Sequence, residues 1–140
     1  MPCPTICLLG LCFPEAWGGN DGDLFMTIIA AQELARCGAG GVLASLLSHT
    51  IGCPPIVNVG CNEIKRKVLP SVLRGEKISA LAITEPSGGS DVANLKTTAR
   101  RDRVHFVLNG SKTFITSGMR CDWLTCAVRW GNCFPPQLFP

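Results

Sequence analysis

The chain has 140 residues, enough for one domain with a core of its own, and only 16% of them are charged. Its net charge of +3 is unevenly placed: residues 1–60 carry one basic against four acidic side chains, and residues 61–140 twelve against six. No Lys/Arg run with interleaved aromatics occurs, which leaves a nucleic-acid groove without support, and the apolar run at residues 6–13 is far too short to span a bilayer.

That run has no basic segment ahead of it, and the first basic residue is Arg36, so neither a secretory signal nor an Arg-rich transit peptide is read here. Cys3, Cys7, Cys12, Cys37, Cys53, Cys61, Cys121, Cys126 and Cys133 form no CxxC pair, and their number is odd. With only His49 and His105 to join them, a zinc site would need scattered ligands, so no metal site is expected. The thiols read as free groups packed like small apolar side chains.

A Pro- and Gly-containing opening turn follows Phe13, and Asp21 or Asp23 is placed to cap the next segment. Leu24, Phe25, Ile28 and Ile29 alternate with polar positions at near-helical spacing, which predicts an amphipathic helix over 24–37 that ends at Gly38. A second helix, 42–51, is apolar nearly all round and is expected to be buried; it carries Ser48, His49 and Thr50. His49 reads as a helix-end histidine bonded to backbone. Pro54 and Pro55 are expected to stop that helix. A third helix is predicted over 62–74, with Asn62 as its N-cap, Ile64, Val68, Leu69 and Leu73 inside, Lys65, Arg66 and Lys67 in solvent, and Pro70 kinking or ending it.

The period then changes. Residues 78–83 form an apolar run that reads as a short buried strand, and Thr84 to Asp91 is a polar loop in which Pro86 biases Glu85 toward extended backbone while Gly88 and Gly89 permit positive φ. Residues 96–100 and 104–108 alternate, Asn109-Gly110 signals a hairpin into 112–116, and another strand is expected over 123–130. The fold class is therefore α+β: an N-terminal α-helical segment followed by antiparallel β. Asn109-Gly110-Ser111 also fits a glycosylation sequon, which the turn composition accounts for. GxSxG, a P-loop and a GxGxxG after a strand are all absent.

Two stretches carry the chemistry: TEPSGGSD at 84–91 and NGSKTFITSG at 109–118. Together they resemble the paired flavin motifs of the acyl-CoA dehydrogenases, whose usual forms are TEPxAGSD and NGxKxWITxG. Gly88 stands where the family has Ala, and Phe114 where it has Trp. The resemblance implies a partial N-terminal helical domain at 13–77 and a partial middle β domain at 78–131, with 1–12 and 132–140 outside the family pattern. It implies FAD as cofactor, α,β-dehydrogenation of an acyl-CoA substrate, electron-transfer flavoprotein or a similar acceptor, a homo-oligomer in full-length relatives, and a mitochondrial association that no segment of this chain directs.

By the same resemblance, Leu81, Ala82, Ile83, Thr84, Glu85, Pro86, Ser87, Gly88, Gly89 and Ser90 would meet the flavin. The Thr84 hydroxyl would bond its pyrimidine side, and Ser90 would also meet coenzyme A. Phe114, Ile115 and Thr116 would cover the flavin centre. The family's catalytic base sits in a C-terminal helical domain that these 140 residues are expected to lack, Glu85 reading as scaffold and the prolines after Gly131 ending strand pairing. The alternative is a non-catalytic truncated product or fragment, either poorly folded or dependent on a partner.

Overall fold

The computed structural model describes residues 8–130, and the readings made on 1–7 and 131–140 lie outside them. Two 3-10 turns, Leu8–Gly10 and Glu15–Trp17, precede the first helix. Helix α1, Leu24–Ala35, starts where the Asp23 carboxylate accepts the Met26 N–H at 2.9 Å, and Gly38 at φ +67° turns the chain away from its end. Its apolar residues have little to cover them: Leu24 is 71% and Phe25 73% exposed.

The single buried helix expected over 42–51 is two pieces, α2 (Gly40–Leu46) and α3 (His49–Gly52). Leu47 leaves the helical region, and Ser48 sends its hydroxyl to the Ser79 carbonyl at 3.0 Å, which ties α3 to the first strand and leaves α2 outside with Val42 63% exposed. Pro54 does not stop the helical region either. It opens α4, Pro54–Val59, at a position where a missing N–H has no helical partner to lose. Helix α5, Asn62–Leu73, is preceded by Cys61 as cap residue, so Asn62 is its first turn and not its N-cap, and the helix runs through Pro70.

The core gathers on α5. Val68, Leu69, Val72 and Leu73 are buried with Cys53 and Phe13, and Trp17, Ile56, Val57 and Trp123 close around them. Each such aliphatic side chain contributes about 1.5–3 kcal/mol of burial. Arg66 and Lys67 face solvent as expected, whereas Lys65 is half-buried with its ammonium 6.0 Å from the Trp17 ring centre.

Strand β1, Ser79–Ala82, pairs in parallel with β4, Trp123–Cys126. Strand β2, Thr98–Asp102, pairs antiparallel with β3, His105–Asn109, and in parallel with β5, Arg129–Trp130. The order of helices followed by β structure holds, but among the described residues two of the three pairings are parallel. The hairpin expected around Asn109-Gly110 is displaced. Asp102 faces His105, so the tight connection is Arg103-Val104 with Arg103 at φ +54°, and 112–116 is not a strand. Gly110 serves a close approach instead: a Cβ there would stand 2.6 Å from the Thr97 Cβ. The run 123–130 is likewise two strands, broken at Ala127 and Val128, with one strand in each sheet.

Candidate functional site

In a parallel ladder, alternate residues address opposite edges. The carbonyls of Ile78 and Ala82 accept N–H groups from the β4 side, at Trp123 (3.1 Å) and Ala127 (2.9 Å). Ser79, Leu81 and Ile83 therefore address the other edge of β1, which carries no strand among the described residues. Ser48 takes the Ser79 carbonyl at one end of that edge, and the Lys112 ammonium takes the Ile83 carbonyl at the other, at 2.8 Å. Between them lies the peptide group of Leu81.

The loop that follows is tightly closed. Glu85 and Gly88 exchange N–H···O bonds of 3.0 Å in both directions around Pro86 and Ser87. Gly89 lies under Thr84, where an added Cβ would come within 3.2 Å of the hydroxyl oxygen, so a larger residue would push that hydroxyl aside. The Glu85 side chain turns inward and accepts from Lys96 N (2.7 Å), Thr97 N (2.8 Å), Thr97 Oγ1 (2.5 Å) and Lys112 Nζ (3.0 Å). The Thr97 hydroxyl and the Lys96 N–H hold its carboxyl down at about 2, far below the ordinary carboxylate range.

The second motif meets the first directly, since the Thr113 N–H donates to the Thr84 carbonyl at 3.0 Å. The next residue, Phe114, sits at φ +55° and is 92% exposed, and Ser117 is at φ +62°. Such left-handed conformations at non-glycine residues cost about 1–3 kcal/mol each and persist where the surrounding structure imposes them.

The residues expected at the site fall into three groups, with Gly89 packed under Thr84. Leu81 and Ile83 address the open edge of β1, and Thr84 meets the second motif at Thr113, one residue before Phe114. Ala82 is fully buried with its carbonyl taken by β4, and Glu85 has its carboxylate and its own peptide groups committed within the fold. Pro86, Ser87, Gly88 and Ser90 lie exposed on the loop rim. Beside that rim Glu85, Ser87, Asp91, Lys96 and Arg129 line a polar cavity of about 370 Å³. A larger apolar cavity, about 430 Å³, lies among the helices away from both motifs.

Lys112 is the participant that sequence reasoning passed over. The signal was present as the fixed Lys of the second motif, but nothing in the spacing said that its ammonium would reach back to Ile83. His49 is a brace: Nε2 lies 2.6 Å from the Leu9 carbonyl oxygen and Nδ1 3.2 Å from that of Leu46. Burial pushes the thiols of Cys53 and Cys126 up, away from thiolate chemistry. Among the described residues no cluster of His, Cys, Asp or Glu is arranged to hold a metal ion, and no single helix is long and apolar enough to cross a membrane.

Comparison with known proteins gives this geometry a context. Residues 7–76 match the family model "Acyl-CoA dehydrogenase, N-terminal domain", and residues 80–135 match "Acyl-CoA dehydrogenase, middle domain". The chain is 45% identical over 120 residues to Acyl-CoA dehydrogenase AFT10-1 of Alternaria alternata, covering 85% of this chain and 27% of that protein. A crystal structure described as a putative acyl-CoA dehydrogenase from Mycobacterium smegmatis superposes with a TM-score of 0.85 at 46% identity, over 89% of this chain and 33% of the other. An acyl-CoA dehydrogenase complexed with FAD from Bacillus anthracis superposes with a TM-score of 0.79 at 38% identity, over 89% and 22%. The chain thus spans about a third or less of the length of these relatives. With both models matched in order along it, the chain belongs to the acyl-CoA dehydrogenase family of oxidoreductases.

Proposed function

We propose that this chain carries the flavin-contacting part of an acyl-CoA dehydrogenase, with FAD as cofactor and an acyl-CoA thioester as substrate. The observation that carries the reading is the open edge of β1 at Leu81, followed by Thr84, whose carbonyl holds the second motif at Thr113 next to the exposed Phe114. A flat ring with hydrogen-bonding groups along one side would suit such an edge: the Leu81 peptide and Thr84 hydroxyl would hold its polar side, Phe114 would stack on it, and Thr116 would give it a further hydrogen bond. Ser90, exposed on the rim, would meet the coenzyme A portion. When bound, the flavin supplies hydride acceptance from the β carbon of the acyl chain. The protein's part is to orient the ring, hold the thioester and exclude water.

Removal of the α proton needs a base with a pKa near the working pH. Among the described residues the carboxylate beside this edge is Glu85, and with its acceptors filled and its pKa at about 2 it is a poor one. We therefore place the base outside residues 8–130. The domain division at 77/78, an electron-transfer flavoprotein or similar acceptor, and assembly with further copies belong to the same proposal. The exposed apolar side of α1 and α2 favours a second reading, in which the site is completed only by another polypeptide segment.

Titration of the purified 140-residue chain with FAD, followed by visible absorbance and quenching of flavin fluorescence, tests the first reading. Saturable binding with a perturbed flavin spectrum is expected, and a spectrum identical to that of free FAD at all protein concentrations would sink it. Anaerobic addition of a panel of acyl-CoA thioesters should then leave the flavin oxidised. Bleaching by any member would show that the base lies within these residues.

A further inference from the structure

Lys112 makes two contacts of different kinds at one point of the fold. Its ammonium lies 2.8 Å from the Ile83 carbonyl oxygen and 3.0 Å from Glu85 Oε1, with the two side chains only 11% and 3% exposed. The next residue, Thr113, donates its N–H to the carbonyl of Thr84. Two successive residues of one motif are thus fastened to two successive carbonyls, that of Ile83 just before the other motif and that of Thr84 at its start, immediately before Phe114. The Glu85 carboxylate is itself immobilised by the N–H groups of Lys96 and Thr97 and by the Thr97 hydroxyl, so it holds the ammonium in place and is not free to follow it.

This arrangement has a chemical consequence at the ligand edge. The Ile83 carbonyl addresses the open side of β1, and Lys112 takes it out of use as an acceptor. The neighbouring edge keeps the N–H and C=O of Leu81, and the Lys112 charge is balanced by the Glu85 carboxylate at 3.0 Å. We propose that Lys112, held by Glu85, is a positioning residue of the flavin site. It fixes the start of the second motif, Thr113 and with it the left-handed Phe114, against Thr84. The inference rests on the flavin reading above.

The test compares Lys112→Met, Lys112→Arg and the double variant Glu85→Gln/Lys112→Met with the parent chain. FAD affinity is read by fluorescence quenching, and exchange of the Thr113 amide is read by NMR against the Val72 amide of α5. Lys112→Met should weaken FAD binding by about tenfold or more, as loss of a charged hydrogen bond implies, and should speed Thr113 exchange by about tenfold with Val72 unchanged. Lys112→Arg should restore both to within about threefold, because guanidinium keeps the charge and the donor.

FAD affinity equal to the parent's in Lys112→Met, even with faster Thr113 exchange, would overturn the proposal by reducing Lys112 to a structural tie. Unchanged Thr113 exchange would overturn it outright. Where Lys112→Met fails to fold because Glu85 is left unpaired, the double variant decides: parental FAD affinity overturns the proposal, and a loss of about tenfold supports it. A parent that binds no FAD defeats the flavin reading and this proposal with it, whereas a parent that binds FAD beside a Lys112→Met variant of equal affinity defeats this proposal alone.

Discussion

Gly110 rests so closely against Thr97 that a Cβ at this position would stand 2.6 Å from the Thr97 Cβ and 2.7 Å from its Cα. Thr97 is buried and is also the residue that gives Glu85 two of its hydrogen bonds. Gly110→Ala is therefore expected to lower stability by about 1–3 kcal/mol through overpacking. A shift of less than about 0.5 kcal/mol in urea denaturation would show that the two segments part freely.

The Glu85 carboxyl is depressed from an ordinary value of 4.5 to about 2 in the folded chain. A carboxyl depressed on folding contributes its full stabilisation above the unfolded value and loses it as pH falls through the folded one, so this contribution should fade between pH 4.5 and about 2. Glu76, lowered by its hydrogen bonds from Arg74, acts in the same direction from the surface. Urea midpoints of the parent and of Glu85→Gln, compared at about pH 6 and about pH 3, isolate the buried group. The two midpoints should draw closer at the lower pH, and a constant gap would contradict the assignment.

Thr84, Ser90 and Thr116 stand at or near the ends of apolar runs and are the hydroxyls assigned to the ligand. Equilibrium dialysis of the triple alanine variant should show FAD affinity reduced by about tenfold or more, since each neutral hydrogen bond contributes about 0.5–1.5 kcal/mol. Retention at the parental level would remove the hydroxyl assignments while leaving the Leu81 edge and Phe114 in place.

On α1, Leu24 and Phe25 project more than two thirds of their surface into solvent. Leu24→Glu with Phe25→Lys should leave the urea midpoint within about 0.5 kcal/mol of the parent and reduce concentration-dependent sedimentation. A large loss of stability would mean that these side chains contribute to the fold of the 140-residue chain itself.

The helices were legible where one face is buried and the caps are local. Asp23 marks the start of α1, which ends at Ala35 and so short of the expected 37, and the apolar spacing of α5 gives Val68, Leu69 and Leu73 as core, whereas Ile64, read with them, is exposed. The breaks that were missed depend on distant partners. Ser48 interrupts 42–51 because its hydroxyl goes to Ser79, and Asn109-Gly110 is not a hairpin turn because Gly110 is needed against Thr97. Parallel pairing of β1 with β4 was equally invisible, since alternation reports which face is buried and not which strand lies alongside. In the candidate site, the two motifs could be read as strings, and their order implied that they belong together. The ammonium of Lys112 reaching the Ile83 carbonyl could not be read, because a long flexible side chain has no spacing rule.

The pairing of β1 with β4 also fixes an order of events during synthesis. Ser79–Ala82 leaves the ribosome long before Trp123–Cys126, its only strand neighbour among the described residues. In the interval the strand that leads into the first motif has its β4 edge bare, while the helices, built from local contacts, can already be formed and can offer Ser48 to its other edge. The nascent chain therefore passes through a stage with an unpaired, largely apolar strand next to a finished helical segment. Chaperone engagement and misassociation would concentrate at that stage, and slowing translation between residues 82 and 123 should prolong it.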